Sequence, residues 1–165
     1  MRIAFAGFRH GHIFELYNLA QAHDSVQVAA AWENNDELRE EMASTQNIVF
    51  THNTYEEMLA DDGIDAVAIG DYYAARGQLA VKALKAGKHI IADKPLCTSL
   101  EELDEIEKLS KAKGLEVSCM FSLVSRFENS DRSSGANSLD WISRQFFVMS
   151  SAVLLMYFLT IQLEL

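Results

Sequence analysis

The stretch Lys88-His89-Ile90-Ile91-Ala92-Asp93-Lys94-Pro95-Leu96-Cys97-Thr98 decides how this chain is read. Residues 89–92 form a short, mostly apolar run of the length expected for a buried strand. The run breaks at Asp93-Lys94-Pro95, which contains the only proline in the sequence. Proline fixes its own φ and keeps the residue before it out of helical geometry, so Lys94 is expected at a strand end in extended backbone. Similar runs recur on both sides, at residues 2–6, 26–32, 48–50, 65–69 and 115–119. Between them lie helical patterns. Ile13, Leu16, Tyr17 and Ala20 share one helix face, and Leu100, Leu103, Ile106 and Leu109 share another. Thr54-Tyr55-Glu56-Glu57 and Ser99-Leu100-Glu101-Glu102 are capping boxes, in which a hydroxyl and a carboxylate satisfy each other's orphan amides. Lys108, Lys111 and Lys113 precede Gly114, as the negative end of a helix dipole favours.

Six near-continuously apolar strands alternating with helices predict an α/β fold. The expected form is a doubly wound, mostly parallel six-stranded sheet covered on both faces, spanning residues 1–122. Ligands of such sheets bind beyond the carboxyl ends of the strands, where Lys94 would stand. The plainer alternative is a solvated loop lysine.

Formal net charge is -10 and the pI is about 4.9, which excludes a nucleic-acid backbone as partner. A single dinucleotide is compatible with that charge, because helix N-termini and backbone amides act locally. Cys97 and Cys119 show no metal or redox spacing. Together with an N-terminus lacking an apolar leader, they point to reduced thiols and a cytoplasmic location. Residues 123–165 stand apart as an atypical tail: 123–145 are polar, and 145–162 are 18 uncharged residues, close to the length of a membrane span. Ser150, Ser151 and Thr160 interrupt that run, so a buried segment is expected there rather than a membrane helix.

Gly7-Phe8-Arg9-His10-Gly11-His12 follows the first strand and opens the first helix. Small residues at such a turn let backbone amides approach a diphosphate at the positive end of the helix. Arg9 stands where a dinucleotide fingerprint has its second glycine, and either crowds the diphosphate or pairs with it. A plain strand-to-helix turn is the alternative. Glu33, at the end of the second strand, can accept both ribose hydroxyls and would repel a 2′-phosphate, which favours NAD over NADP. It can also be read as a helix-start acid, and Asn34 and Arg39 keep NADP open. Gly70-Asp71-Tyr72-Tyr73 breaks the strand before the next helix and either lines the cleft or forms an aromatic packing patch. His10 and His12 supply two imidazoles, but His23, His52 and His89 show no complementary spacing, so no metal site is expected.

Taken in order, the glycine turn, Glu33, Gly70-Asp71-Tyr72-Tyr73 and Ala86-Gly87-Lys88-His89-Ile90-Ile91-Ala92-Asp93-Lys94-Pro95-Leu96 make the chain resemble the N-terminal domain of the Gfo/Idh/MocA oxidoreductases over residues 1–127. That resemblance implies a Rossmann domain holding NAD or NADP, with Gly7, Phe8, Arg9, His10, Gly11, Glu33, Gly70, Asp71, Tyr72, Asp93, Lys94 and Pro95 as the cofactor-site candidates. Lys94, matching the lysine of the family's Glu-Lys-Pro motif, would lie beside the nicotinamide and orient the substrate as the catalytic residue. Asp93 replaces the usual glutamate. The family's substrates are typically sugars, inositols and related polyols. Its second domain supplies the acid/base pair and often the oligomer interface, and nothing after Phe127 matches that domain. A truncation or frame change near residues 130–140 is therefore expected. The competing function is a non-catalytic nucleotide-binding or interaction protein anchored by its apolar tail.

Overall fold

A computed structural model describes residues 1–120 and a two-residue strand at 148–149. Five parallel strands form the sheet in the first of these segments: β1 (Arg2–Ala6), β2 (Gln27–Trp32), β3 (Ala66–Ile69), β4 (His89–Asp93) and β5 (Val117–Met120). Their spatial order is β2-β1-β3-β4-β5, and β6 (Val148–Met149) adds two parallel pairings beyond β5. The helices are α1 (Gly11–Ala22), α2 (Asp36–Gln46), α3 (Tyr55–Leu59), α4 (Tyr73–Lys85) and α5 (Leu100–Lys113).

The apolar character of the strands follows from cores on both faces of the sheet. Ile3 and Phe5 of β1, Ala66 and Ala68 of β3 and Ile91 of β4 pack toward α1 and α2, where Ile13, Leu16, Tyr17 and Met42 meet them. The alternate residues Ala4, Ala6, Val67, Ile69, Ile90 and Ala92 face α3, α4 and α5, meeting Tyr55, Met58, Leu79, Leu84 and Ile106. Ile3, Ile69, Ile90 and Ile91 are fully buried, and each such side chain is worth roughly 1.5–3 kcal/mol of transfer free energy.

Two expectations need correction. Residues 48–50 are not a strand, so the six-strand sheet expected over residues 1–122 has five strands in residues 1–120. The reason is local. Asn47 ends α2 in left-handed backbone (φ 53°), and although Ile48 is buried and Phe50 packs partly against the core, Val49 is 73% exposed and the segment forms no ladder with the sheet edge. It touches the sheet edge only through Thr51, whose amide donates to the Ala31 carbonyl (3.0 Å) and whose hydroxyl accepts from the Ala31 amide (3.2 Å). Leu100, placed on the apolar face of α5, is the first residue of that helix and is 74% exposed.

The capping signals were read more accurately. Thr54 and Glu57 complete a reciprocal capping box at α3. Ser99 accepts from the Glu102 amide at 3.1 Å, but the Glu102 carboxylate turns to Gln78 Nε2 (2.9 Å) instead of back to Ser99.

The chain leaves β1 toward β2 on one side and returns to β3 on the other. That makes the C-terminal ends of β1 and β3 the switch point where a ligand cleft opens.

Candidate cofactor and catalytic site

Every site candidate lies at that end of the sheet. After β1 the backbone turns at Gly7, whose φ is +79° and whose hypothetical Cβ would stand 2.6 Å from Asp71 Cβ. Glycine is therefore required twice over, by the left-handed conformation and by the close approach of the β3 loop. The turn is pinned on both sides: the Gly7 amide donates to Trp32 O (2.9 Å) and the Arg9 amide to Gly70 O (3.1 Å). Gly70 packs as closely, since a Cβ there would lie 2.6 Å from Ile13. Gly11 differs, with nothing within 4 Å of an added Cβ, so the first turn of α1 faces open space.

The helix starts fall into two classes. α2, α3 and α5 carry side-chain caps and acidic first turns. α1 and α4 carry neither, and both begin at the cleft, after β1 and β3. Uncapped amides and the positive dipole end make such a start suitable for a diphosphate.

Glu33 is 1% exposed. Its two oxygens accept separately from the Phe8 amide (2.9 Å) and the Asn35 amide (3.0 Å). Each oxygen retains a lone pair for a ribose hydroxyl. Arg9 crosses the cleft above it: Nη2 stands 3.6 Å from Glu33 Oε1 and donates to Asn34 Oδ1 (3.0 Å), while Nε stands 3.0 Å from Asp71 Oδ1. The guanidinium also lies over the Tyr72 ring, 5.5 Å from its centroid. Arg9 therefore ties the loops after β1, β2 and β3 together as counter-ion to two buried carboxylates. Burial raises the pKa of Asp71 despite the Tyr72 amide that it accepts, and the neighbouring Glu33 charge adds to the rise. Tyr72 and Tyr73 are about half exposed. Arg39 instead stacks over Phe50, 5.5 Å from the ring centroid.

At the end of β4, Asp93 is fully buried. The Lys94 amide donates to its Oδ1 (2.7 Å), and the Lys94–Pro95 peptide is cis. The Lys94 side chain is half-buried, and among the described residues its ammonium has no hydrogen-bond or ion-pair partner.

Sequence reasoning missed Arg76. It is fully buried in α4, with Nε donating to Asp71 O (2.6 Å) and Nη1 to the carbonyls of Lys94 and Pro95. Its Nη2 stands 3.5 Å from Asp93 Oδ2. An arginine inside a helix reads as surface, and only the fold shows that it secures the Lys94–Pro95 turn.

The third donor beside His10 and His12 was also missed. His10 Nδ1 lies 2.5 Å from Asp93 Oδ2, and His12 Nδ1 lies 3.2 Å from Asp93 Oδ1. Asp93 is separated from His12 by 81 positions, beyond the reach of spacing arguments.

The family described as "Oxidoreductase family, NAD-binding Rossmann fold" matches residues 1–121. The chain belongs to the Gfo/Idh/MocA oxidoreductase family. Its described part is that family's NAD-binding Rossmann domain. Among curated relatives, the scyllo-inositol 2-dehydrogenase (NAD(+)) of Bacillus subtilis is 39% identical over 72 residues, covering 44% of this chain and 20% of that protein. The scyllo-inositol 2-dehydrogenase (NADP(+)) IolU of the same organism is 29% identical over 92 residues, covering 56% and 28%. An NAD-binding protein from Listeria innocua superimposes with a TM-score of 0.63 at 29% identity, covering 72% of this chain and 33% of that one. The chain thus spans well under half the length of each relative. NAD- and NADP-dependent Gfo/Idh/MocA proteins are both among its relatives. Among the described residues no helix is long and apolar enough to cross a membrane, and the apolar tail at 145–162 lies outside them.

Proposed function

We propose that this domain binds NAD at the C-terminal ends of β1 to β4 and serves as the cofactor half of an oxidoreductase acting on a sugar, inositol or related polyol. The observation that carries the reading is the Lys94 ammonium at the end of β4, unpartnered among the described residues and beside the switch-point cleft. The uncapped starts of α1 and α4 and the open space at Gly11 suit the diphosphate. Glu33 suits the adenosine ribose through its two remaining lone pairs, and its charge disfavours a 2′-phosphate. Bound there, the nicotinamide supplies the hydride acceptor or donor.

The chain's own residues do the positioning. Arg76 fixes the Lys94 and Pro95 carbonyls, so the Lys94 backbone is held at the end of β4, from which its side chain would reach the substrate. An ammonium hydrogen-bonded to the reacting hydroxyl or carbonyl holds that oxygen in place and stabilises negative charge developing on it. The inositol dehydrogenases among the relatives support a polyol as the substrate class. A general acid/base from outside the described residues would complete proton transfer.

The test is to titrate NADH and NADPH separately into the full chain, following cofactor fluorescence, with Glu33→Gln as the comparison. Saturable binding tighter for NADH, with the preference narrowed by Glu33→Gln, is the expected result. Absence of binding of either cofactor up to about millimolar concentration, the top of the usual range for enzyme ligands, by a protein that melts cooperatively would overturn the reading.

A further inference from the structure

We propose that His10, His12 and Asp93 form a binding site for a borderline divalent transition metal, Zn²⁺ in particular, at the mouth of the cleft beside Lys94. The side-chain donor atoms of the three residues all lie within 4.8 Å of one another. Two of them, His10 Nδ1 and Asp93 Oδ2, are buried and have no hydrogen bond, although they are only 2.5 Å apart. With His10 in the tautomer that leaves Nδ1 unprotonated, both atoms offer lone pairs to a cation. A cation relieves that contact. Asp93 is the anchor, fully buried and held by the Lys94 amide. The histidines are the approach, His10 as the N-cap residue of α1 and His12 in its first turn, each side chain 27% exposed.

The donor set selects the ion. Two imidazoles and one carboxylate suit Zn²⁺, Co²⁺ or Ni²⁺ rather than Mg²⁺ or Ca²⁺, which prefer all-oxygen shells. Tetrahedral zinc with ligand bonds of about 2.0–2.2 Å spaces its donors about 3.4 Å apart. The histidines meet different Asp93 oxygens, His12 Nδ1 3.2 Å from Oδ1 and His10 Nδ1 2.5 Å from Oδ2, and with the donors within 4.8 Å of one another small side-chain rotations bring one atom of each residue to that spacing. Three protein ligands leave a fourth position for water or a substrate oxygen, the pattern of catalytic rather than structural zinc. Arg76 opposes the ion, with Nη2 3.5 Å from Asp93 Oδ2. Its charge weakens the affinity below that of structural zinc sites.

Cobalt is the probe, titrated into the metal-free full chain without any nicotinamide cofactor, so that failure here is distinct from failure of the NADH titration. The expected result is a saturable d–d absorption band with one equivalent of Co²⁺, displaced by Zn²⁺. Outer-sphere partners of metal ligands alone are worth about 10–100-fold in affinity, so His10→Ala and His12→Ala should each weaken binding at least that much. His52→Ala, in the loop before α3, should leave it unchanged. Both ligand histidines are partly exposed, so their variants should fold, and far-ultraviolet circular dichroism checks that they do. A rise in Tm with Zn²⁺ in the parent, absent from both variants, is the second readout. No band and no Tm rise at about millimolar metal, or undiminished binding in the His10→Ala, His12→Ala double variant, would leave only a histidine–aspartate pair and overturn the proposal.

Discussion

Replacing Gly7 by alanine isolates the turn on which the cleft is built. In left-handed backbone (φ +79°) a non-glycine residue costs about 1–2 kcal/mol. The added Cβ would also lie 2.6 Å from Asp71 Cβ and 2.7 Å from both Asp71 Cα and its backbone nitrogen. Neighbouring backbone cannot rotate away as a flexible side chain would, so overpacking adds roughly 1–3 kcal/mol. The sum, about 2–5 kcal/mol, is a large share of the roughly 5–15 kcal/mol that holds a domain of this size together. At about 4 °C per kcal/mol, Tm should fall by roughly 8–20 °C. Gly11→Ala is the control: its Cβ meets nothing within 4 Å, and alanine is the better helix former by up to about 1 kcal/mol, so Tm should hold or rise slightly. The pair separates fold from function, because Gly11→Ala should still weaken NADH binding by placing a methyl where the diphosphate approaches α1. Thermal melts followed by circular dichroism, with the NADH titration on the same samples, make the comparison. A Gly7→Ala protein melting within about 2 °C of the parent, the shift expected for under about 1 kcal/mol, would refute the argument from backbone and contact.

Arg76→Met should cost about 3–5 kcal/mol, because it leaves Asp93 buried beside no cation and frees the Lys94 and Pro95 carbonyls; urea unfolding at neutral pH measures it. Asp71 should make stability pH-dependent in the direction opposite to a salt-bridged acid. Its folded pKa is raised, chiefly by burial, so the folded state holds the proton longer than the unfolded chain. Its contribution is fully present below the ordinary carboxylate range and is lost as pH rises through the raised folded value. Asp71→Asn should therefore flatten the decline in unfolding free energy above about pH 4, the ordinary aspartate pKa, and an unchanged profile would show that Arg9 fully compensates the burial.

The strands and helix starts were legible because their causes are local. A run such as Ile90-Ile91-Ala92 is apolar throughout because Ile90 and Ala92 face one core and Ile91 the other, a pattern that only a sheet covered on both faces requires. The capping box at Thr54 is read from four consecutive residues. Residues 48–50 misled because three β-prone residues carry no information about whether a neighbouring edge is free to pair. There the left-handed Asn47 brings the chain to the sheet at one point, Thr51, instead of along a ladder.

The candidate site was legible only as separate pieces. Gly7, Glu33, Asp71 and Lys94 each follow a strand, so an α/β reading places them at one end of the sheet without further information. What joins them is carried by long side chains whose partners are distant in sequence. Arg9 reaches Glu33 and Asp71, and Arg76 reaches Asp71 and Asp93. These links change the meaning of the pieces. Arg9, read from the sequence as crowding a diphosphate or pairing with it, is in the fold the counter-ion of two buried carboxylates at the cleft. A dinucleotide entering there meets that guanidinium, already held by Glu33 and Asp71. Asp93 undergoes the same change of meaning. It stands where the family's motif has glutamate, and in the fold its carboxylate lies against His10 and His12, partners that neither the motif nor its spacing discloses.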